Sequence, residues 1–153
     1  MNAAFLACLQ AQLGCMETLR ELLAREQEAM AQSRFTQLMD IGARKEELLE
    51  RLSGLDSRRE AAQQAAGFEP GRAGAEAAAI AGGDVTRKAW SDLLALAARA
   101  RDENMRNGAT VWAHLEFTQR ALNFLQSSAQ MFYGPDGARR STSVGGGTRL
   151  AAG

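Results

Sequence analysis

This chain has no net charge, few aromatic residues and very little proline. Lysine plus arginine equals aspartate plus glutamate, 18 against 18, so the charge balance gives no reason to expect a nucleic-acid partner. The 153 residues include one histidine, one tyrosine and two prolines. Alanine, leucine, glutamate and arginine are abundant, so the composition predicts an all-α protein, and its length suits one domain.

Long apolar runs and paired cysteines are missing as well. No stretch approaches the roughly 18 consecutive apolar residues of a membrane span, so we expect a cytoplasmic protein with no membrane insertion. The two cysteines, Cys8 and Cys15, stand seven residues apart. On a helix that spacing is about 10 Å, too far for a disulfide, and it is not the C-x-x-C spacing of a redox or zinc site. Buried, reduced thiols are therefore expected.

Two amphipathic helices are predicted to form a hairpin over residues 3–59. In the first, Leu9, Met16, Leu23 and Met30 recur every seven residues. The second has an apolar seam of its own: Leu38, Ile41, Leu48, Leu52 and Leu55. Ser33 is the expected N-cap of the second helix. Gly42 lies inside the second pattern, where a close helix crossing is the expected reason and a kink the alternative.

A linker over residues 60–84 is predicted to precede one long helix over 85–131. The linker is rich in alanine and glycine, with room for a short helix at about 73–81. The long helix is capped by Asp84 and carries a seam that includes Leu93, Leu115 and Leu122. The expected fold is an elongated antiparallel bundle or coiled coil of three main helices over residues 1–133. A turn and a flexible tail are predicted at 134–153.

Patterns that carry chemistry are not found. A carboxylate-bridged metal site in a helical bundle needs Glu-x-x-His pairs, and the only histidine, His114, has no such partner. Gly145, Gly146 and Gly147 lack the lysine and helix of a phosphate loop. We therefore expect no enzyme activity, no catalytic or metal-binding residues and no cofactor.

Two features of the long helix invite a functional interpretation. Asn104, Asn107 and Gly108 interrupt the seam; they are either a polar layer that fixes helix register, with Gly108 allowing close approach, or a hinge. Further along, apolar residues surround more of the helix than one seam requires. They are either covered by the second helix or the tail, or they form a client-binding surface made of Phe117, Leu122, Phe124, Leu125, Met131, Phe132 and Tyr133.

Four short motifs, in order along the chain, resemble those of the FlgN family of flagellar type III export chaperones. They are an L-x-x-L-L-x-x-E pattern at 19–26, K-E-x-L-L at 45–49, N-x-x-N-G at 104–108 and Y-G-P-D-G at 133–137. The resemblance implies a cytosolic, all-helical chaperone that binds the hook–filament junction proteins FlgK and FlgL. Such a chaperone keeps the C-terminal export regions of its clients soluble and delivers the clients to the flagellar export apparatus. The resemblance places client binding at the end of the third helix and in the tail.

The glycine- and alanine-rich linker and tail depart from the family pattern and affect where the client footprint would lie. The alternative function is a coiled-coil scaffold, or a type III secretion chaperone with another client such as the filament cap protein.

Overall fold

Four α-helices make up the computed structural model, which describes the backbone of residues 2–132 and the side chains of residues 2–126. The helices are α1 (Ala3–Ala31), α2 (Phe35–Ala65), α3 (Arg72–Ala81) and α4 (Asp84–Phe132). No strand occurs among the described residues. The prediction of an all-α helical bundle is therefore confirmed. The predicted tail at 134–153 lies outside the described residues.

The chain divides into two units, Met1–Gly108 and Ala109–Gly153, and α4 contributes to both. In the first unit α1 and α2 run antiparallel. Asn2 shows this at one end, because its side-chain oxygen caps the amide of Phe5 at 3.1 Å while its Nδ2 donates to the carbonyl of Ala62 at 2.8 Å. At the other end, Ala29 of α1 packs with Ile41 of α2.

The connection between α1 and α2 differs from the predicted cap. Ser33 has a positive φ of 56°, in the left-handed region, and Arg34 is the residue that precedes the first turn of α2. The amide of Arg34 donates to the carbonyl of Ala29 at 2.7 Å, which closes the end of α1. The prediction of Ser33 as N-cap was wrong because its hydroxyl lies one residue too early along the chain.

Apolar side chains of the first unit form three buried clusters along the hairpin. The second cluster joins α1, α2 and α4 through Cys15, Leu19, Leu23, Leu52 and Ala100. The first cluster joins α1, α3 and α4: Phe5, Leu9, Ala75, Ala78, Ala79, Ala89, Trp90 and Leu93. These contacts place the first part of α4 parallel to α1, and they confirm the seam as far as Leu93 and Ala100.

The short helix expected inside the linker is present and is part of the core. Ala75, Ala78 and Ala79 of α3 are buried. The buried amide of Gln63 on α2 holds the preceding turn, since its Nε2 donates to the carbonyls of Glu69 and, at 3.0 Å, Gly71. The term linker therefore applies only to the residues on either side of α3.

Three further predictions, on the cap at Asp84 and on the close approach at Gly42 and Gly108, were wrong. Asp84 is the first residue of α4, and its carboxylate accepts from Arg87 at 2.8 Å instead of capping the helix. A Cβ built on Gly42 or Gly108 would meet nothing within 4 Å. Neither glycine lies at a close helix crossing, so the close approach expected at both positions was wrong.

The described side chains of the second unit are almost all exposed. Val111 is half-buried, and residues 112–126 are exposed. Leu115 and Leu122 are 58% and 49% exposed, against 6% for Leu93. The prediction that one seam is buried along the whole of α4 was therefore wrong for its second half.

The two thiols are free, with Cys15 buried and Cys8 half-buried, so the expectation of reduced cysteines in a helical seam is met for Cys15.

Candidate functional site: the exposed apolar surface of the last helix

The predicted client-binding residues lie on α4, and those with described side chains are exposed. Phe117 and Phe124 are each 71% exposed, Leu125 61% and Leu122 49%. Met131 and Phe132 belong to α4, but their side chains lie outside the described residues, as does the whole of Tyr133. The alternative, that the second helix or the tail covers this surface, stays a prediction, because the tail lies outside the described residues.

Sequence reasoning missed two members of the same surface. Trp112 is 65% exposed and Leu115 is 58% exposed, although the seam pattern assigned Leu115 to a buried position. The sequence did contain one sign of this exposure. Asn104 and Asn107 interrupt the apolar seam, so the apolar residues that follow them need not pack against α1 and α2. We refer to Trp112, Leu115, Phe117, Leu122, Phe124 and Leu125 as the α4 apolar surface.

Five of these six side chains, all except Trp112, form two stripes on the helix. At 3.6 residues per turn, Leu115, Leu122 and Leu125 share one face, and Phe117 and Phe124 lie roughly 140° away around the axis. An amphipathic helix with a single partner needs one stripe. Two stripes mean that partners can pack on more than one side of this segment.

Charge is nearly absent from the α4 apolar surface. Within residues 112–126, Glu116 and Arg120 pair with each other at 3.5 Å on an exposed face. Gln119 and Asn123 are joined by a side-chain hydrogen bond of 3.1 Å, also in solvent. The described side chains of this surface therefore offer apolar contact rather than charge.

A polar layer joins three helices where the buried part of α4 ends. Asn107 is 5% exposed, and its Nδ2 donates to the carbonyl of Leu23 at 2.8 Å and to Glu26 Oε1 at 3.0 Å. The ammonium of Lys45 on α2 bonds to both carboxylate oxygens of Glu26 at 3.1 Å and to Asn104 Oδ1 at 2.7 Å. The layer thus connects α1, α2 and α4.

This arrangement favours the register interpretation of Asn104–Gly108. A buried amide bonded to the backbone of a second helix fits only one axial position, so a slipped α4 would leave that amide unpaired. The hinge interpretation stays a prediction. The partners Glu26 and Lys45 were not predicted, because nothing in the sequence shows that their charges face inward.

One turn away, an ion pair strengthens the same junction. The Nε of Arg20 lies 2.6 Å from the carboxylate of Glu103, with both side chains partly exposed. The hydrogen bond that Arg20 donates to the Glu103 carboxylate, followed by the negative charge of that carboxylate, raises the pKa of the Arg20 guanidinium above its ordinary value.

Among residues 2–126, no group of three or more His, Cys, Asp or Glu side chains is placed to hold a metal ion. His114, the only histidine of the chain, is exposed on α4. No described helix combines the length and the apolar character that crossing a membrane requires.

Comparison with known proteins gives two matches of sequence. The FlgN protein family matches residues 1–141. A flagella synthesis protein FlgN from Yersinia enterocolitica is 27% identical over 139 residues, which cover 89% of this chain and 89% of the relative. No solved structure matches the chain.

Proposed function

Since this chain belongs to the FlgN family, we propose that it is a cytosolic export chaperone for the hook–filament junction proteins FlgK and FlgL. Family membership itself supports a role in flagellar synthesis. In the proposed mechanism the chaperone binds each client before assembly and keeps it unassembled. It then delivers the client to the flagellar type III export apparatus.

The observation that carries the proposal is the exposed α4 apolar surface. Exposed large apolar side chains that cluster on one segment are a mark of binding surfaces in proteins that otherwise bury such groups. Client helices packed on the two stripes would remove these side chains from water, and each largely buried Phe or Leu would contribute about 1–3 kcal/mol. The proposed client-binding residues are Phe117, Leu122, Phe124, Leu125, Met131, Phe132 and Tyr133.

The mechanism proposed here is one of binding alone. The described surface presents apolar groups and uncharged amides, so its affinity comes from burial of area and from helix packing. Hook–filament junction proteins need their terminal helices covered only until they assemble. A chaperone that occupies those helices reversibly meets this need with no catalytic step and no cofactor.

Isothermal calorimetry with purified C-terminal fragments of FlgK and FlgL tests the proposal. Phe124→Ala should weaken binding by about 1–3 kcal/mol, because aromatic anchors carry most of the energy of such interfaces. The matched control is Asn123→Ala on the polar side of the same turn, and Glu50→Ala on α2 is a distant one. Both controls should bind as the wild type does, and circular dichroism should show equal helicity in all four proteins.

Two results would contradict the proposal. If a folded Phe124→Ala variant bound the client with wild-type affinity, the client site would not lie on the α4 apolar surface. Failure of the wild-type chain to bind either junction protein would favour the alternative of another client, and the same titration with the filament cap protein then tests that alternative.

A further inference from the structure

A second surface, on the hairpin and separate from the α4 apolar surface, has a chemistry of its own. Between α1 and α2 lies an open groove of about 580 Å³, which is lined only by residues of those two helices. On α2 the lining extends from Leu48 to Arg58, which is roughly 15 Å along the axis, or about three helical turns. On α1 the lining extends from Ala11 to Thr18, about 10 Å, so an α-helix laid along the groove would contact both walls over about two helical turns.

Small and apolar side chains form the floor of this groove. Gly14 of α1 and Gly54 of α2 both line it, and a Cβ on either would meet nothing within 4 Å. Leu48 and Leu55 supply the apolar contact from α2. Glycines at facing positions allow the backbone of a third helix to come closer than larger residues would.

Positive charge marks one rim of the groove. Arg51 and Arg58 both line it, are exposed and stand seven residues apart on one face of α2, about 10 Å from each other along the helix. Neither has an ion pair or hydrogen bond among the described residues, whereas Arg44, one heptad earlier, lies 3.2 Å from Asp40. No acidic side chain lines this part of the groove.

The positive rim is local. In the neighbouring stretch towards the α1–α2 connection, Arg25 and Arg44 are accompanied by Glu21 and Glu47, so the charges there are balanced. The chain as a whole has equal numbers of basic and acidic residues. Two unpaired arginines facing an apolar groove are therefore a feature of this site and not of a generally basic protein.

We propose that this groove docks an acidic amphipathic helix of a partner protein, with small or apolar side chains on its inner face and two carboxylates seven residues apart. Each carboxylate would accept hydrogen bonds from one guanidinium, in the forked geometry that arginine favours. Because the two carboxylates and the two arginines have the same spacing, both pairs can form at once. A neutral or basic helix could not form them. The site shares no residue with the proposed client site and does not depend on it.

Binding of synthetic helices to the full-length chain tests the inference. The probe is a fluorescein-labelled, alanine- and leucine-rich peptide of about 21 residues with glutamates seven apart on one edge, a length at which such a helix is stable enough to form. Two matched peptides carry glutamine or lysine in place of the glutamates. Fluorescence anisotropy should show the glutamate peptide binding about tenfold more tightly than either, with a difference that shrinks at high salt.

Charge reversal separates specific docking from general attraction. The double variant Arg51→Glu, Arg58→Glu should reverse the preference and bind the lysine peptide most tightly, a gain that unfolding could not produce. Arg101→Glu, an exposed change of the same charge on α4, should leave the preference as in the wild type. Gly14→Phe should weaken all binding by filling the groove without altering charge, while Ala24→Phe, exposed on the same helix outside the groove, should not.

Several outcomes would overturn the inference: failure of the glutamate peptide to bind the wild type, equal binding of the three peptides, or a preference that survives charge reversal. A wild-type dimer in analytical ultracentrifugation that becomes monomeric in the Gly14→Phe variant would also overturn it, because the groove would then hold a second copy of this chain.

Discussion

At the scale of single residues, Asn107 determines how well the first part of α4 is fixed to α1. Its amide is buried and donates to a backbone carbonyl and to the Glu26 carboxylate. Asn107→Ala should lower the free energy of unfolding by about 1–3 kcal/mol, since it leaves the carbonyl of Leu23 without its side-chain donor. Urea denaturation followed by circular dichroism measures the change.

Asn104 provides the control for this prediction, because it belongs to the same layer but is exposed. Its side chain accepts one hydrogen bond from Lys45, which keeps two further bonds to Glu26. Asn104→Ala should therefore cost less than about 0.5 kcal/mol. Equal destabilisation by the two substitutions would show that burial of Asn107 does not decide the stability of the layer.

The sequence correctly predicted the burial of single side chains where burial depends only on the position of the residue in the helical repeat. The seam positions Leu9, Leu23 and Leu93 are buried as predicted. Sequence-based prediction failed for Ser33, because α2 begins one residue later than expected and Arg34 occupies the N-cap position. It also gave no sign that Arg59 is buried, where it bonds to Asp56 at 2.8 Å and lies 5.4 Å from the Trp90 ring centre. Periodicity predicts a face, but not which charged residues on that face find partners inside.

At the scale of elements, α3 depends on a close backbone approach at Gly74. A Cβ on Gly74 would overlap the backbone carbonyl of Glu69 and come within 2.7 Å of the Gln63 amide nitrogen. Gly74→Ala should therefore destabilise the protein by about 2–4 kcal/mol, as expected where backbone must move to relieve a clash. Chemical denaturation should show the loss as a lower midpoint.

Gly42→Ala is the matched control for α3, because Gly42 lies inside α2 with no atom near a built Cβ. Alanine in that position should stabilise the protein by about 0.5–1 kcal/mol, through the lower entropy of the unfolded chain and the higher helix propensity. A stabilising Gly74→Ala substitution would contradict the observed packing of α3 on the turn before it.

The difference between the two halves of α4 shows what an apolar pattern can predict. Leu93 and Leu122 occupy equivalent positions in the predicted seam, yet the first is buried and the second is half-exposed. The pattern identifies the face of the helix that prefers to leave water. It does not identify the partner of that face, which for Leu93 is α1 and α3. The candidate client site was predicted from this excess of apolar residues, but the extra members Trp112 and Leu115 required the structure.

At the scale of the whole molecule, stability should be distributed unevenly between the two units. Side chains of residues 89–107 include the buried Ala89, Trp90, Leu93, Ala100 and Asn107, whereas residues 112–126 are exposed throughout. A helical segment without buried side chains gains little from tertiary packing, and its hydrogen bonds open locally at low cost. Most of the folding free energy should therefore reside in the unit Met1–Gly108.

Amide hydrogen exchange followed by mass spectrometry tests this distribution. In the isolated protein, peptides from 109–126 should exchange about tenfold or more faster than peptides from 89–107, although both segments belong to α4. Addition of a FlgK or FlgL C-terminal fragment should slow exchange at 109–126, because the client supplies the missing packing, and should leave 89–107 nearly unchanged. Equal protection of the two segments without client would mean that the α4 apolar surface is already covered in solution. In that case the surface could not be the site at which an unassembled junction protein is held.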